Sequence, residues 1–580
     1  MSEIFWQLAP VISQEETEAF PEVHPVILQL LANRGVKTQE AIDIFLGPDW
    51  GRDTHDPHLF LRMKEAVDRV FLAMERREMI SVHGDYDADG VCGTAVLITV
   101  LRDICRQLKC DHARFSTYIP HREKEGYGLH EHTVRYLQQD VGTTLIITVD
   151  CGISNHQAIA LAHELGMDTI VCDHHDVPEK IPEHAILIHP QAPGETYPFK
   201  HLSGTGVAFK FAHALLEEAN RRGAGFHKGY EKWLLDLVAI ATVTDIMPLL
   251  GENRVLEHYG LLVLNKTRRA GLKKLVEVSG GEFGKLDTTS IGYQIGPRLN
   301  AAGRMHHADV ALQLLIEEDE DRALAFAKEL QQLNVERQKQ SEAIFQEAKR
   351  QVEAGEDLPL IVVVGEGWPA GLVGLVAGKL VAAYHRPVFV IGQEGEEYVG
   401  SGRSLGGFHM TSALQGIAEH LDAFGGHPQA CGFSTRGKER LARVVSGLLS
   451  YARQTIPDPK TVATIAIDAE IPLALVNWDF YQDLEKFAPF GEKNPRPVFC
   501  SRHLTVMGMD AVGTQGKHLR LFLQSAQGIT AKCIGFKFGE WMERLHLGAQ
   551  VDVVYEIGVN EWNGSRELQC SIRDLRLSST

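Results

Sequence analysis

The sequence predicts an α/β fold organised on a mostly parallel sheet, and three observations predict it. Between about 60 and 250, short apolar runs alternate with amphipathic stretches of helical length, the pattern of strands joined by crossover helices. The runs are 80–82, 114–118, 144–149, 169–172 and 185–188. Acidic or imidazole side chains directly follow three of them, where open parallel sheets place their ligands. A second unit of the same kind opens near 358 with the apolar run 360–364, after a long polar helix.

Taken in order, residues 1–55 read as a small helical preface, with 26–32 apolar and 38–45 a helix capped by Thr38. The sheet domain runs over 56–304. Residues 305–355 read as a connecting helix, because the stretch is rich in Ala, Gln, Glu and Leu and 305–352 has neither Pro nor Gly. A polar helix of that length bridges domains. The second α/β unit covers 356–458, and 459–580 reads as β, with 462–467, 519–523, 551–557 and 568–572 alternating or running apolar. Residues 489–497 form a rigid loop ahead of a strand. At 580 residues and 64.4 kDa the chain exceeds one core, and about 100 to 200 residues per domain suggests three or four.

The chemistry begins in the loop after the first strand, where His83, Asp85, Asp87 and Asp89 lie between the strand 80–82 and an apolar helix over 91–101. Three carboxylates on alternate residues repel one another unless a cation sits among them. An EF-hand opening fits the spacing, but its twelfth position, which needs a bidentate Glu, is Val96. Calcium in that form is excluded. An unliganded acidic turn is the plain alternative, and the position at the end of a buried strand speaks against it.

The next strand ends supply Asp150, ahead of a glycine turn, and Asp173-His174-His175-Asp176. Alone, Asp150 reads as a helix cap and His174 as a satisfied loop histidine; jointly, three consecutive clusters on one sheet edge point to metal. Asp245 ends a helical run starting near Trp233, where it opposes the helix dipole, a cost that metal ligation offsets. On that segment alone an exposed turn aspartate is an equal reading. Mixed carboxylate and imidazole ligands suit Mn2+ better than Mg2+ or Ca2+. The ligand supply exceeds one ion's needs, and Asp150 is the natural bridge between two.

Composition narrows the class further. Formal net charge is −18, which on its face argues against a polyanion partner, yet site carboxylates are neutralised by metal and a phosphate groove needs only local basic residues. Nine cysteines, with no Cys-x-x-Cys pair, indicate neither a disulfide framework nor structural zinc. A reduced cytoplasm fits. The start, 1–19, lacks a basic and apolar leader. The apolar stretch 371–392 is broken by Lys379, His385, Arg386 and Pro387, so no membrane span is expected.

Val82-His-Gly-Asp-Tyr-Asp-Ala-Asp-Gly90, Thr148-Val-Asp-Cys-Gly-Ile-Ser154, Asp173-His-His175 and Thr244-Asp-Ile-Met-Pro-Leu249 resemble the four motifs of the DHH phosphoesterase superfamily. Pro120-His-Arg-x-x-x-Gly-Tyr-Gly128, Ser203-Gly-Thr-Gly-Val-Ala-Phe-Lys210, Gly296-Pro-Arg-Leu-Asn-Ala-Ala-Gly-Arg304, Gly400-Ser-Gly-Arg-Ser404, Phe424-Gly-Gly-His-Pro-Gln429 and Pro489-Phe-Gly-Glu-Lys-Asn-Pro495 are similar to the RecJ branch, the bacterial single-strand-specific exonucleases. The likeness spans nearly the whole chain.

The resemblance implies a DHH domain and a DHH-associated domain joined by a long helix, then an oligonucleotide-binding (OB) barrel. It implies two divalent ions, Mn2+ preferred and Mg2+ the alternative: one on His83, Asp87 and Asp150, the other on Asp89, Asp150, His174 and Asp245, with Asp85 an outer or alternate ligand. His175 then faces the scissile phosphate and His427 stands near it. Arg403, whose neighbouring Gly400, Gly402, Gly425 and Gly426 let a ligand approach the backbone, is expected to hold the 5′-terminal phosphate with Ser401 and Arg122, with Ser404 beside them. Arg298, Asn300 and Arg304 are expected on the strand backbone. Lys517 and Arg520 are barrel candidates, with His518, Lys532, Lys537, Trp541 and Trp562 in a wider set.

The implied function is metal-dependent 5′ to 3′ hydrolysis of single-stranded DNA to 5′-mononucleotides, in recombination and mismatch repair. The implied partners are single-strand-binding protein and a RecQ-type helicase, with no membrane and a monomeric chain. One alternative is a DHH-family phosphodiesterase acting on short oligonucleotides or cyclic dinucleotides. Another, of a different class, is a non-catalytic DNA-binding scaffold.

Overall fold

The computed structural model describes residues 4–110, 113–405, 408–456, 464–562 and 564–578. The chain divides into two compact units, one made of 55–247 and 259–461, the other of 1–54, 248–258 and 462–580. The first strand, β1 (Phe5–Leu8), belongs to the second of these.

The larger unit opens with five parallel strands: β2 (Met79–His83), β3 (Arg114–Tyr118), β4 (Thr143–Val149), β5 (Asp168–Cys172) and β6 (Ala185–Ile188). Their order is β3-β2-β4-β5-β6, all parallel. The chain steps to one side of β2 with β3 and to the other with β4, so the sheet's switch point lies between β2 and β4, the crevice where doubly wound folds bind ligands. Apart from Met79 at its start, the apolar residues of β2, and those of β4 and β5, are fully buried, as expected of strands covered on both faces.

Residues 305–355 hold two helices, Asp309–Ile316 and Glu320–Ala354, where the sequence reading had one. Asp319 causes the break: its side chain accepts a hydrogen bond from Arg322 N–H and starts a new helix, as short acids do at N-caps. The second helix has 35 residues, about 52 Å at the α-helical rise. Beyond it a mixed sheet holds β7 (Ile361–Glu366), β8 (Val388–Glu394), β9 (Glu397–Arg403), β10 (Ala423–Gly426) and β11 (Ala430–Arg436), ordered β10-β11-β9-β8-β7 with β7 and β8 alone parallel.

In the smaller unit, β1 pairs in parallel with β12 (Thr464–Ile467); positions 462 and 463 of the expected strand lie outside the described residues. A short β13 (Ala469–Glu470) joins β14 (Phe499–Val512), β15 (His518–Gln524), β16 (Thr530–Gly535), β17 (Gln550–Trp562) and β18 (Ser565–Leu577). Pairing of β14 with β17 closes the last five into a barrel, so no long edge remains open. Leu519, Leu521 and Leu523 alternate inward along β15 and join one core with Ile27, Leu30, Leu31, Ile42 and Phe45 of the N-terminal helices. Arg254 is buried in this unit, donating to the carbonyls of Phe45, Lys486, Phe487 and Ala488. Among the described residues no helix is long and apolar enough to cross a membrane.

Candidate active site

Local backbone chemistry holds each acidic loop in place. Asp87 caps the helix Ala88–Leu108, its Oδ1 accepting from Asp89 N–H at 2.9 Å and Gly90 N–H at 3.2 Å; a cap of this kind contributes about 1 kcal/mol. Asp89 turns the other way and accepts from Gly204 N–H and Thr205 N–H, each at 2.7 Å, at the N-terminus of the helix Gly204–Arg221, where free N–H groups and the dipole favour an anion. Gly204 is what lets that helix approach, since a Cβ there would lie 2.6 Å from Asp150 Cβ. Asp150 adopts a left-handed φ of 61°, and it does not cap a helix.

These loops converge. His174 Nε2 lies 3.1 Å from Asp150 Oδ1, 3.5 Å from Asp245 Oδ2 and 3.7 Å from Asp89 Oδ2. Three sets offer ligand atoms all within 4.8 Å of one another: Asp85, Asp87 and Asp150; Asp89, His174 and Asp245; Asp150, His174 and His175. The first differs from the expected set in holding Asp85 rather than His83. His83 is fully buried, its ring stacked on Tyr118 with centroids 5.5 Å apart and its Nδ1 3.7 Å from Cys151 Sγ.

The electrostatics of this cluster fit a resident cation. Burial, and after it the neighbouring carboxylates, pushes Asp85, Asp150 and Asp245 well above the usual carboxylate range and raises Asp87. Burial lowers His174 and brings His83 down to about 4, so both are neutral at pH 7, the form that binds metal. Asp85 Oδ1, Asp150 Oδ1, Asp245 Oδ2, His83 Nε2 and His174 Nε2 are buried without a hydrogen-bond partner. Buried polar atoms are nearly always satisfied, and orphaned oxygens and imidazole nitrogens gathered this closely are the donor set of a divalent transition ion.

A second group of side chains was quoted in the motifs without a role. Asp173 is fully buried; its Oδ1 takes a hydrogen bond from His175 Nδ1 at 2.8 Å and its Oδ2 one from Ile153 N–H at 3.0 Å. Burial works against both charges, but this bond outweighs it, holding Asp173 well below the carboxylate range and pushing His175 up to about 9. His175 therefore carries a proton at neutral pH. Tyr127 Oη donates to Asp150 O and lies 3.0 Å from His175 Nδ1, tying the two loops together. Only the Asp-His-His spelling signalled Asp173.

Facing the acids is a group of guanidiniums. Burial, then Arg122 and Arg337, pushes Arg304 down to about 9, with Asp87 and Arg403 also acting on it. Arg304 Nη1 donates to Gly371 O at 3.0 Å, joining the two sheet domains. Arg122 lies over the Tyr86 ring at 4.7 Å, and Arg403 Nη1 donates to Ser401 Oγ at 3.1 Å and Gly402 O at 2.7 Å. Arg337, on the long helix, belongs to this group and no motif pointed to it.

Other expected contacts are engaged inside the protein. Arg298 donates to Gln331 Oε1 at 2.7 Å, and Asn300 Oδ1 accepts from Ala88 N–H at 2.9 Å, so Asn300 steadies the helix that carries the acidic loop. Ser404 is buried, its N–H donating to Gln429 O. His427 is exposed, with Nδ1 3.1 Å from Asp176 Oδ2. In the barrel Arg520 is paired with Asp510 and Lys532 with Glu567, Trp541 packs against the core, and Lys517 is exposed. His518 Nδ1 accepts from Lys537 N–H; the side chain of Trp562 lies outside the described residues. Phe522 and Phe536 are exposed aromatics beside Arg520 and His518. The reading missed them although strand alternation puts Phe522 on the outer face with Arg520.

A parallel sheet ordered β3-β2-β4-β5-β6 with acids and imidazoles at its C-terminal edge, followed by a mixed sheet, is the arrangement of a DHH-type phosphoesterase, and the chain matches the DHH family N-terminal domain over 79–242 and the DHHA1 domain over 357–454. Residues 467–574 match the RecJ OB domain. It is 36% identical over 582 residues to the single-stranded-DNA-specific exonuclease RecJ of Bacillus subtilis, covering 100% of this chain and 71% of that one. It is 31% identical to the protein of that name from Dickeya dadantii, with 97% of each covered. The crystal structure of RecJ with Mn2+ from Thermus thermophilus superposes with a TM-score of 0.82 at 28% identity, over 99% of this chain and 80% of that one. The chain belongs to the RecJ family.

Proposed function

We propose that the protein is a metal-dependent exonuclease that degrades single-stranded DNA from the 5′ end to 5′-mononucleotides. The observation that carries this reading is the set of buried carboxylate and imidazole atoms without hydrogen-bond partners, set in one unit with a group of arginines. Asp85, Asp87 and Asp150, with the orphaned His83 Nε2 as a further donor, are the candidates for one ion, and Asp89, His174 and Asp245 for the other. Bound Mn2+ or Mg2+ supplies an activated water and neutralises phosphate charge. The chain's own residues do the rest. Asp89, anchored on the N–H groups of Gly204 and Thr205, and Asp87, anchored on its own helix, keep the acids from moving apart. Protonated His175, oriented by Asp173, offers a positive N–H to a phosphate oxygen or to the departing one. Arg403, Ser401, Arg122 and Arg304 hold the terminal phosphate, with Arg337 adding charge.

The barrel favours a long single strand over a dinucleotide, because the match to the OB domain adds a surface for bases beyond the site. Single-strand-binding protein and a RecQ-type helicase, a monomeric state and a cytoplasmic setting complete the reading; among the described residues no cysteine forms a disulfide. Digestion of 5′-labelled and 3′-labelled single strands with Mn2+, Mg2+ or chelator tests it. Labelled mononucleotide is expected at once from the 5′ label with either ion and not with chelator; early release from the 3′ label refutes the polarity.

A further inference from the structure

The helix that delivers Asp245 ends in an unusual way. Leu235–Thr244 closes with Met247 N–H donating to Thr242 O at 3.0 Å and Ile246 N–H donating to Val243 O at 3.2 Å, the paired bonds of a Schellman cap. That motif needs a left-handed residue after the cap and normally uses Gly or Asn. Here the residue is Ile246, with φ at 57°. A β-branched side chain in that region is a genuine outlier. Burial does not repay it, since Ile246 is 67% exposed. Packing behind the cap preserves the conformation: a Cβ on Gly296 would lie 2.3 Å from Thr244 Cγ2, so the turn that follows 290 is pressed against this helix end. Strain kept in place by its surroundings, one residue from a candidate ligand, points to a function for the side chain.

We propose that Ile246 is a positioning residue: an apolar platform for the nucleobase beside the scissile phosphate. This rests on the nuclease reading above and extends it to how the base is held. A phosphate handled at Asp245 carries its sugar and base within reach of the next residue, and every base offers a flat apolar face that tolerates any sequence. A lone exposed apolar residue is ordinary on a protein surface, but the left-handed ends of two other helices carry Lys109 and His385, and among the described non-glycine residues with positive φ Ile246 alone is β-branched. Contact with a base explains both the exposed aliphatic chain and the strained backbone.

The test uses the full chain, the variants Ile246→Gly and Ile246→Leu, and two single strands, one intact and one whose 5′-terminal nucleotide is abasic. Ile246→Gly relieves the left-handed strain, so its Tm is expected not to fall, and its Mn2+ affinity, measured by titration calorimetry, is expected to match the wild type. On the intact strand its kcat/KM is expected to drop roughly tenfold, while Ile246→Leu stays within about threefold of wild type. On the abasic strand wild type and Ile246→Gly are expected to be equal. Equal rates on the intact strand, an undiminished deficit on the abasic strand, or weakened Mn2+ binding in Ile246→Gly would each overturn the proposal. A wild-type protein that cuts neither strand with Mn2+ would overturn the nuclease reading beneath it.

Discussion

Two clusters of like charge lie in the same unit and differ in how they are built. The carboxylates of Asp85, Asp87, Asp150 and Asp245 stand on loops at the C-terminal edge of one parallel sheet, or at the end of a helix beside it, and raise one another's pKa. The guanidiniums of Arg122, Arg304, Arg337 and Arg403 come from a loop, two helices and a strand of another sheet; burial and then neighbouring arginines lower Arg304, and burial lowers Arg403 with Arg122 adding to it. Each crowds like charges together, and the two act on each other, Arg122 on Asp85 and Asp87 and Asp87 on Arg304. Asp87 is fixed by N–H groups of its own helix and Asp89 by those of another, so the acids await small ions in a set geometry. The arginines are fixed by packing and carbonyl contacts and so await a larger, softer anion such as phosphate.

The largest effect that sharpens this contrast is expected from the acids. Asp150→Ala should lower cleavage on the order of 10³-fold or more, and Mn2+ should raise the Tm of the wild type far more than that of the variant; full activity would break the metal assignment. On the arginine side, Arg403→Ala should cost about thirtyfold in kcat/KM on 5′-phosphorylated strands and much less on 5′-hydroxyl strands. Equal loss on both would remove the terminal phosphate from its role, and Arg337→Ala should show the same preference more weakly.

A smaller, pH-dependent effect is expected between the clusters. His175 has its pKa raised to about 9 by Asp173, so wild-type activity that needs the imidazolium persists until pH rises through that value. In Asp173→Asn that support is gone while burial still disfavours the charge, so the same loss should begin no higher than the ordinary histidine pKa of about 6.5. The variant is therefore expected to be about twentyfold slower at pH 8 than at pH 6 relative to wild type; parallel pH profiles would sink this role.

The smallest effect is a control on buried charge without a cluster. Glu257 is fully buried in the other unit, neither carboxylate oxygen has a hydrogen-bond partner, and burial alone raises its pKa well above the usual carboxylate range. A carboxyl whose folded pKa is raised adds stability below its unfolded pKa and loses it as pH climbs through the folded one. Glu257→Gln should thus leave the acid-side Tm nearly unchanged and flatten the decline of Tm with rising pH, and Mn2+ should shift it no differently from wild type.

What was legible follows the same division. Asp85, Asp87 and Asp89 could be read as a site because alternation behind a buried strand is a local pattern, and Asp150 and His174 because strand ends of one sheet share an edge. The pairing of His175 with Asp173 needed coordinates, since three adjacent polar residues look alike until the backbone turns them. Arg337 was hidden in a polar helix whose other charges are solvated. Arg298 and Asn300 belong to a basic motif, yet Gln331 and the Ala88 N–H take up their side chains. The break at Asp319 was a capping signal inside an acidic run that read as ordinary helix.

By itself the sequence determined the strands, the order of the domains, the acids gathered at the sheet edge and the family, because spacing of apolar and charged residues along a chain is enough to set local structure and its repeats. Tertiary structure alone decided which nitrogen meets which carboxylate, that ligand atoms of Asp85 and Asp150 lie within 4.8 Å of each other, that Ile246 is held left-handed beside Asp245, and that the N-terminal helices share the barrel's core. Those outcomes depend on segments tens to hundreds of residues apart meeting at distances of a few ångströms, and no pattern within a segment encodes where its distant neighbour will stop.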